Sequence, residues 1–507
     1  MSAPTYDLGK LHGGLRLSGN KSESTSQSIV EIPIPDQLIL PLHQHVGDPA
    51  QPIVGIGARV LKGQLIAERP DGTLGAPVHA SSSGQVIAIE PWPVVRRYGD
   101  SAPCIVIQCD GKDEAIPVAE TPIDYRQLAA EDLLSTIVKG GIVGLGGAVF
   151  PTAQKLMQAN SCDIDYLLLN GVECESYISC DDVLMRERAG EIVSGAQILM
   201  HALQISACFI AVESDKPEAI RALADVLAKI DDERVVLRQV PTVYPSGGED
   251  QLVQLVTNRE VPSGGLPSDV GCLVQNVATA AAIHDWIVNG QPLISRVTTV
   301  TGDGVAKPVN VRARFGTTVA NIVGYAGGYT DRAEQLIIGG PMTGKSVSTD
   351  DVPLVKASNC ILVLSEAPSP GPELPCIRCG DCAAVCPVQL LPQQLFWYAC
   401  ADNETKLREF GLTDCIECGC CDLVCPSNIP LTAEFRVAKG RMRELADEKA
   451  RAARARQRFE ARNQRLEREH ADRNAELSEQ KDTAKRAGPA AIAEILKRKQ
   501  QSDKDSD

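Results

Sequence analysis

No run of about eighteen consecutive apolar residues occurs in this 507-residue chain, so no transmembrane helix is expected. The nearest approach, 192–212, is broken by Ser194, Gln197, His201, Gln204 and Ser206 and reads as a buried helix followed by a strand over 207–213. The opening residues, MSAPTYDLGKLHGG, lack a basic region followed by an apolar core, so no secretory signal is expected. Positive charge is in deficit, with 50 Lys and Arg against 65 Asp and Glu, a net −15 and a pI near 5.1. That balance disfavours nucleic acid as a partner and leaves no polybasic membrane patch. Eighteen cysteines are too sparse at this length for a disulfide scaffold. The dinucleotide fingerprint G-x-G-x-x-G after a first strand is also missing. These absences point to a multidomain cytoplasmic protein that meets a membrane only through partners.

What is present begins with eight grouped cysteines. Residues 376–387 read CIRCGDCAAVCP and residues 415–426 read CIECGCCDLVCP, so C-x2-C-x2-C-x3-C-P occurs twice. That spacing sets three thiolates around one cubane iron–sulfur cluster and sends the fourth, before Pro, to the other. One [4Fe–4S] cluster is therefore expected on Cys376, Cys379, Cys382 and Cys425, and a second on Cys415, Cys418, Cys421 and Cys386. Ala383, Ala384, Val385, Leu423 and Val424 keep water off the sulfurs. Structural zinc rarely uses four cysteines at this spacing and almost never in tandem. Cys420 adjoins Cys421 and competes for the same iron; Cys421 preserves the spacing of the first motif.

The chain around these motifs divides by pattern. Residues 1–30 are rich in Gly, Ser and Lys and read as an extended arm. Over 31–118 short β-like runs alternate with turns. The pair ARVLKGQLIAE and GAPVHASSSGQVIAI resembles the barrel-sandwich hybrid of lipoyl and biotinyl carriers. A carrier needs a modifiable Lys at the hairpin tip, and the tip here reads HASSSG, so a carrier-like fold without a carrier's task is expected, with His79 a turn residue. Residues 119–294 alternate strands and helices as an α/β domain. Residues 295–345 give two strands, a turn at Gly302 to Gly304 and a helix from near Thr318; GGPMTG, 339–344, reads as a closing turn. A connector, 346–367, leads to the cluster domain, 368–430, which opens on the Pro-rich PSPGPELP and reads as an α+β ferredoxin-type fold. In 431–507, 20 Lys and Arg face 15 Asp and Glu, so this segment is +5 and the rest −20. It reads as a charged tail, helical or disordered, either solvated or binding a partner.

Four stretches of the α/β domain carry chemistry. GGIVGLGGAVFPTAQKL, 140–156, strips Cβ atoms at Gly140, Gly141, Gly144, Gly146 and Gly147 and then starts a helix near Pro151. Backbone can thus approach a phosphate or a flat ring, with free N–H groups and Lys155 ready for an anion. A Gly-rich loop alone is also an ordinary tight turn. NGVECESYISCDD, 170–182, sets Asn170, Glu173 and Glu175 at a strand's carboxyl end, where α/β sheets bind ligands. YPSGGEDQL, 244–252, sets two glycines before Glu249 and Asp250, and VQNVATAAAI, 274–283, offers Gln275 and Asn276.

This order resembles the flavin- and NADH-binding subunit of respiratory complex I, where G-F-P-T-x-x-K, N-x-x-E-x-E, G-E-E and N-N-V-E-T segments build one site. With the barrel-like domain and tandem cysteine motifs it resembles more closely the RnfC (RsxC) component of Rnf electron-transport complexes, over residues from about 30 to 430. The resemblance implies FMN contacts at Gly144, Gly146, Gly147, Lys155, Asn170 and Asn276, and nicotinamide contacts near Phe150, Glu173, Glu175, Glu249 and Asp250. It implies a β-grasp (SLBB-like) module at 295–345. Val149 departs from the Gly of the complex I pattern, Ser176 from Pro, and Gln275 and Ala278 from Asn and Glu; an added side chain at Val149 narrows nicotinamide access. The expected chemistry is hydride from NADH to FMN and single electrons through two [4Fe–4S] clusters, with no protein group as acid or base. Expected partners are the other subunits of an ion-translocating complex and a ferredoxin-like protein, with the chain peripheral on the cytoplasmic face of a bacterial inner membrane. Two alternatives stay open: a diaphorase subunit of a soluble hydrogenase or formate dehydrogenase, and a non-catalytic iron–sulfur wiring scaffold.

Overall fold

The computed structural model describes residues 8–95, 101–117, 124–230, 232–366, 371–486 and 488–502. The expected boundary at 118–119 and the start of the Pro-rich lead at 368 lie outside the described residues. The chain forms two units, dividing after Phe435.

In the first unit, β1 (Gln37–Pro41), β2 (Gly84–Pro93) and β3 (Ser101–Cys109) form an antiparallel sheet with β3 between the other two and Arg59–Val60 as a fourth strand beyond β2. A second, three-stranded sheet is built from Gln51–Pro52, Leu65–Glu68 and Val78–His79. The tip that a carrier presents to solvent is buried: Ser82 donates to Asp113 at 2.9 Å and Ser83 to Asp110 at 2.6 Å. His79, expected in a turn, lies in a short strand with a buried ring, because its side chain turns inward beneath the α/β domain, near Gly141.

The α/β domain has a four-stranded parallel sheet. Its strands are β4 (Tyr166–Gly171), β5 (Ala207–Glu213), β6 (Val235–Val240) and β7 (Cys272–Asn276), in the order β6-β5-β4-β7. Leu167, Leu168 and Leu169 are all fully buried, as a parallel strand covered on both faces requires. Residues 180–203 form two helices, α1 (Cys180–Glu187) and α2 (Ala189–Leu203), broken at Arg188, whose backbone leaves the helical region and whose guanidinium reaches Asp285 at 2.7 Å. Helix α2 packs on α3 (Val277–Asn289). Gly195 makes that approach possible, since a Cβ there would stand 2.0 Å from the Ala280 carbonyl oxygen.

The β-grasp module pairs β8 (Ser295–Thr301) with β9 (Val309–Arg314), followed by a short helix that Thr318 caps. Its sheet has six strands, Lys345–Val347 forming one edge. Residues 346–367, expected as a connector, contain the apolar strand β11 (Cys360–Leu364), which lies between β8 and β10 (Gln335–Ile338). From the arm, Val30–Glu31 pairs with β9 in parallel. Lys356 lies buried at the junction of three domains, donating to the Pro77 and Gly141 carbonyls, while Arg296 donates to the Lys356 and Leu145 carbonyls. The foot of the Gly-rich loop is thereby fixed on its neighbours.

The second unit is helical. From Arg443 to Arg486 its first helix is exposed along nearly its whole length and laced with pairs such as Arg456–Glu460 at 2.8 Å, and a second helix spans Gly488–Ser502. Among the described residues no helix is long and apolar enough to cross a membrane.

Replacing Gly195 by Ala should force α2 and α3 apart and lower stability by about 1–3 kcal/mol. Urea denaturation of the purified protein checks this against a Gly190→Ala control, where an added Cβ meets open space.

Candidate functional site

Parallel pairing sets Asn170 beside Asn276 at the carboxyl ends of β4 and β7. Strand order reverses there, since β5 and β6 lie on one side of β4 and β7 on the other. A crevice opens at such a switch point. Its larger lobe, about 610 Å³, is lined by Gly144, Gly146, Phe150, Lys155, Asn170, Gly247, Gly248, Glu249, Gln275, Asn276 and Ile416 among others. A second lobe of about 450 Å³ shares Gly146, Asn170, Glu249 and Asn276 and adds Glu173, Glu175, Tyr244, Asp250, Gln251 and Cys418. Both volumes fall in the range of small-molecule and cofactor sites.

The Gly-rich loop divides its glycines between two tasks. A Cβ on Gly140 would meet the Trp286 ring at 2.7 Å, and one on Gly141 the Pro77 carbonyl at 2.9 Å, so those two serve packing. Gly146 faces Asn276, and Gly147, at φ +109°, faces open space. The loop closes on itself through Gly144 N–H to the Phe150 carbonyl at 2.9 Å. Val149 adopts φ +45°, a conformation that favours Gly. Its side chain packs against the core and is not among the residues lining either lobe, so the expected narrowing of the crevice by Val149 is not found.

Lys155 donates to the Val274 carbonyl at 2.7 Å and pairs with Glu249. Glu249 and Asp250 open the helix Glu249–Thr257, and burial, reinforced by Glu249 and Asp414, pushes the Asp250 carboxyl up. Asn170 donates to the Gly247 carbonyl at 2.9 Å, and Asn276 caps α3 while donating to Asp181 at 2.7 Å. Glu173 and Glu175 line the smaller lobe but their oxygens serve the backbone. Glu173 accepts from the N–H groups of Asp181 and Asp182 at 2.7 and 3.1 Å, and burial pushes it up to about 7, with Lys21 opposing. Glu175 accepts from the N–H groups of Met342 and Thr343 at 2.7 and 2.9 Å and from the Thr343 hydroxyl. The GGPMTG turn is thus tied to the crevice floor.

The eight cysteines surround two further cavities. Cys376, Cys379, Cys382 and Cys425 line one, and Cys386, Cys415, Cys418 and Cys421 the other, which Cys420 also lines. The motifs repeat in backbone as well as sequence: Arg378 and Glu417, Gly380 and Gly419, and Gln389 and Asn428 all have positive φ. Such turns aim N–H groups inward, and Leu390 N–H meets the Cys386 Sγ at 3.3 Å. Ile416 and Cys418 line both the second cavity and the crevice, so the two are adjacent. Sequence reasoning missed Asp181, Tyr244, Gln251 and Ile416 as crevice residues. All four lie within motifs it had singled out, Ile416 in the second cysteine motif.

Family models match the chain in the same order: an RnfC barrel sandwich hybrid domain over 9–112, a Nuo51 FMN-binding domain over 137–285, an SLBB domain over 297–346 and a 4Fe–4S dicluster domain over 375–429. Relatives named as the C component of an ion-translocating oxidoreductase complex include one from Pseudomonas aeruginosa, 48% identical over 92% of this chain and 60% of its own length. One from Vibrio cholerae is 44% identical over 96% and 63%, and one from Citrobacter koseri 42% identical over 94% and 67%. The chain belongs to this RnfC family. It spans about three fifths to two thirds of the length of these relatives. A solved NAD+-reducing [NiFe]-hydrogenase in its H2-reduced state, 17% identical with a TM-score of 0.43 over 62% of each chain, is too distant to bear on function.

The FMN and two [4Fe–4S] clusters that belong to these domains suit the residues present. Four cysteines line the first cavity and five the second, Cys420 being the fifth. In the crevice, Gln275 Nε2 and Gln251 Oε1 are buried without a partner, a costly state that a polar ligand relieves. Gln275→Leu should weaken FMN binding about three- to tenfold by removing one donor, with the flavin-free fold at least as stable as wild type. Equilibrium dialysis of FMN and a melting curve of the flavin-free protein check both.

Proposed function

We propose that this RnfC-family chain oxidises NADH with bound FMN and delivers electrons one at a time through its two [4Fe–4S] clusters to partner subunits of an Rnf-type complex. The observation that carries the reading is the shared wall: Ile416 and Cys418 of the second cysteine motif line the crevice that the Gly-rich loop and Lys155 also line. A bound flavin supplies the conversion of a hydride pair into single electrons, the form that iron–sulfur clusters accept.

The chain's own residues bind, orient and exclude water. Gly144, Gly146 and Gly147 let the backbone approach a flat ring, Lys155 favours an anionic group, and Gln275 supplies a donor. Phe150 closes one wall of the larger lobe. Glu249 and Asp250, at the start of a helix, would receive ribose hydroxyls, while Glu173 and Glu175 hold the backbone of the crevice floor. No side chain is required as acid or base.

The clusters follow in line. The cavity of Cys386, Cys415, Cys418 and Cys421 abuts the crevice, and that of Cys376, Cys379, Cys382 and Cys425 shares no lining residue with it. Cys379 is exposed, which suits an exit toward a partner, a membrane subunit or a ferredoxin-like protein. Coupling to ion movement belongs to the complex, with this chain peripheral on the cytoplasmic face of the inner membrane.

Anaerobically purified protein should carry FMN and eight irons, and NADH should bleach the flavin absorbance; bound flavin that NADH leaves oxidised defeats the dehydrogenase reading, and iron without flavin reduces the chain to a wiring scaffold. Separately, Cys382→Ser should remove one cluster signal in electron paramagnetic resonance while leaving flavin content unchanged, and the surviving signal identifies the cluster beside the crevice.

A further inference from the structure

Tyr244 stands where three segments meet. Its backbone exchanges hydrogen bonds with Leu15 of the arm, N–H to carbonyl in both directions at 2.7 and 2.8 Å. Its ring is 4% exposed and lines the smaller lobe of the crevice. Its hydroxyl donates to the carbonyl oxygen of Cys418 at 2.7 Å. That carbonyl belongs to a cysteine expected to ligate the cluster beside the crevice, and the next residue, Gly419, is at φ +76° with the Met342 side chain 3.2 Å from where a Cβ would stand. Backbone here is held from both sides, by a phenol and by the turn that Glu175 clamps.

We propose that Tyr244 is a positioning residue that sets the reduction potential of the cluster ligated by Cys386, Cys415, Cys418 and Cys421 through its hydrogen bond to the Cys418 carbonyl. The inference rests on the proposed cluster assignment. Reduction adds one electron to the cluster, and the added negative charge is stabilised by positive ends of dipoles aimed at its ligands. The phenolic O–H places such a positive end at the Cys418 carbonyl, in a buried setting where water does not screen it. Without the donor, the carbonyl keeps its full negative end beside the cluster, and reduction becomes harder. The same bond ties a wall of the crevice to a ligand loop, so the segment that receives the electron and the segment that borders the donor cannot drift apart.

Redox titration of the intact, iron- and flavin-loaded protein, followed by electron paramagnetic resonance, tests the assignment. Tyr244→Phe should retain FMN and eight irons. The equilibrium constant for reducing the crevice-side cluster should fall about three- to tenfold, roughly 30–60 mV more negative at 59 mV per tenfold. The other cluster serves as an internal reference and should not move. Should Tyr244→Phe lose iron, 3-fluorotyrosine placed at 244 keeps the ring and strengthens the donor, and it should shift the same cluster in the positive direction. An intact variant with neither cluster shifted, or both shifted equally, overturns the role of Tyr244. Fewer than eight irons in the wild type overturns the cluster assignment instead, so the two failures are distinguishable.

Discussion

Two carboxylates two residues apart hold the centre of this molecule together. Glu173 and Glu175 follow β4, and each collects backbone N–H groups from a different segment: Glu173 from the start of α1, Glu175 from the turn at 339–344 of the β-grasp module. Charge-assisted bonds of this kind are about twice as strong as neutral ones. They also rescue carboxylates whose burial would otherwise be costly. The α/β sheet, the helix beneath the crevice and the β-grasp module are thus registered to one short loop. The Met342 side chain in turn lies against Gly419, so the same loop also borders the second cysteine motif.

A second constraint comes from the amino-terminal arm, which acts as a strap. Gly9 bonds to the Leu255 carbonyl, Gly14 to Val385 in the cluster domain, and Leu15 to Tyr244. Lys21 donates to the Glu173 carbonyl, the Ser24 hydroxyl bonds that of Ser179 at 2.8 Å, and Val30–Glu31 then enters the β-grasp sheet. An extended strand has few internal bonds, so each backbone group must find a partner elsewhere. The arm finds them on three domains, and so serves all of them at once.

What the sequence made legible follows from how locally each feature is encoded. Cysteine spacing, Gly-rich loops and alternating strand and helix patterns are short-range signals, and the architecture they imply matches the family models. Less was legible where a residue's task is set by distant chain. Nothing near Glu175 announces that its carboxylate will meet Thr343, and nothing in CILVL, 360–364, says that its neighbours in the sheet are residues 299–301 and 335–338. Asn276 was picked out for its amide, which caps a helix and binds Asp181, while Gln275 beside it keeps the unpaired donor. Glycines were over-read for the same reason, since a Cβ-free position serves the Trp286 ring as readily as a ligand.

The crossed cysteines give the cluster domain a coupling that neither motif has alone. Cys386 ends the first motif yet lines the cavity of the second, and Cys425 does the reverse. A thiolate ligand set contributes folding free energy only when all its members are brought together. Each cavity therefore depends on both motifs, and the short helices Asp381–Ala384 and Cys420–Leu423, only four residues each, are too short to stand on their own helicity. Because Ile416 and Cys418 belong to the crevice as well, the second cysteine cavity and the crevice wall draw on the same backbone. Built in this way from one stretch of backbone, neither is complete without the other.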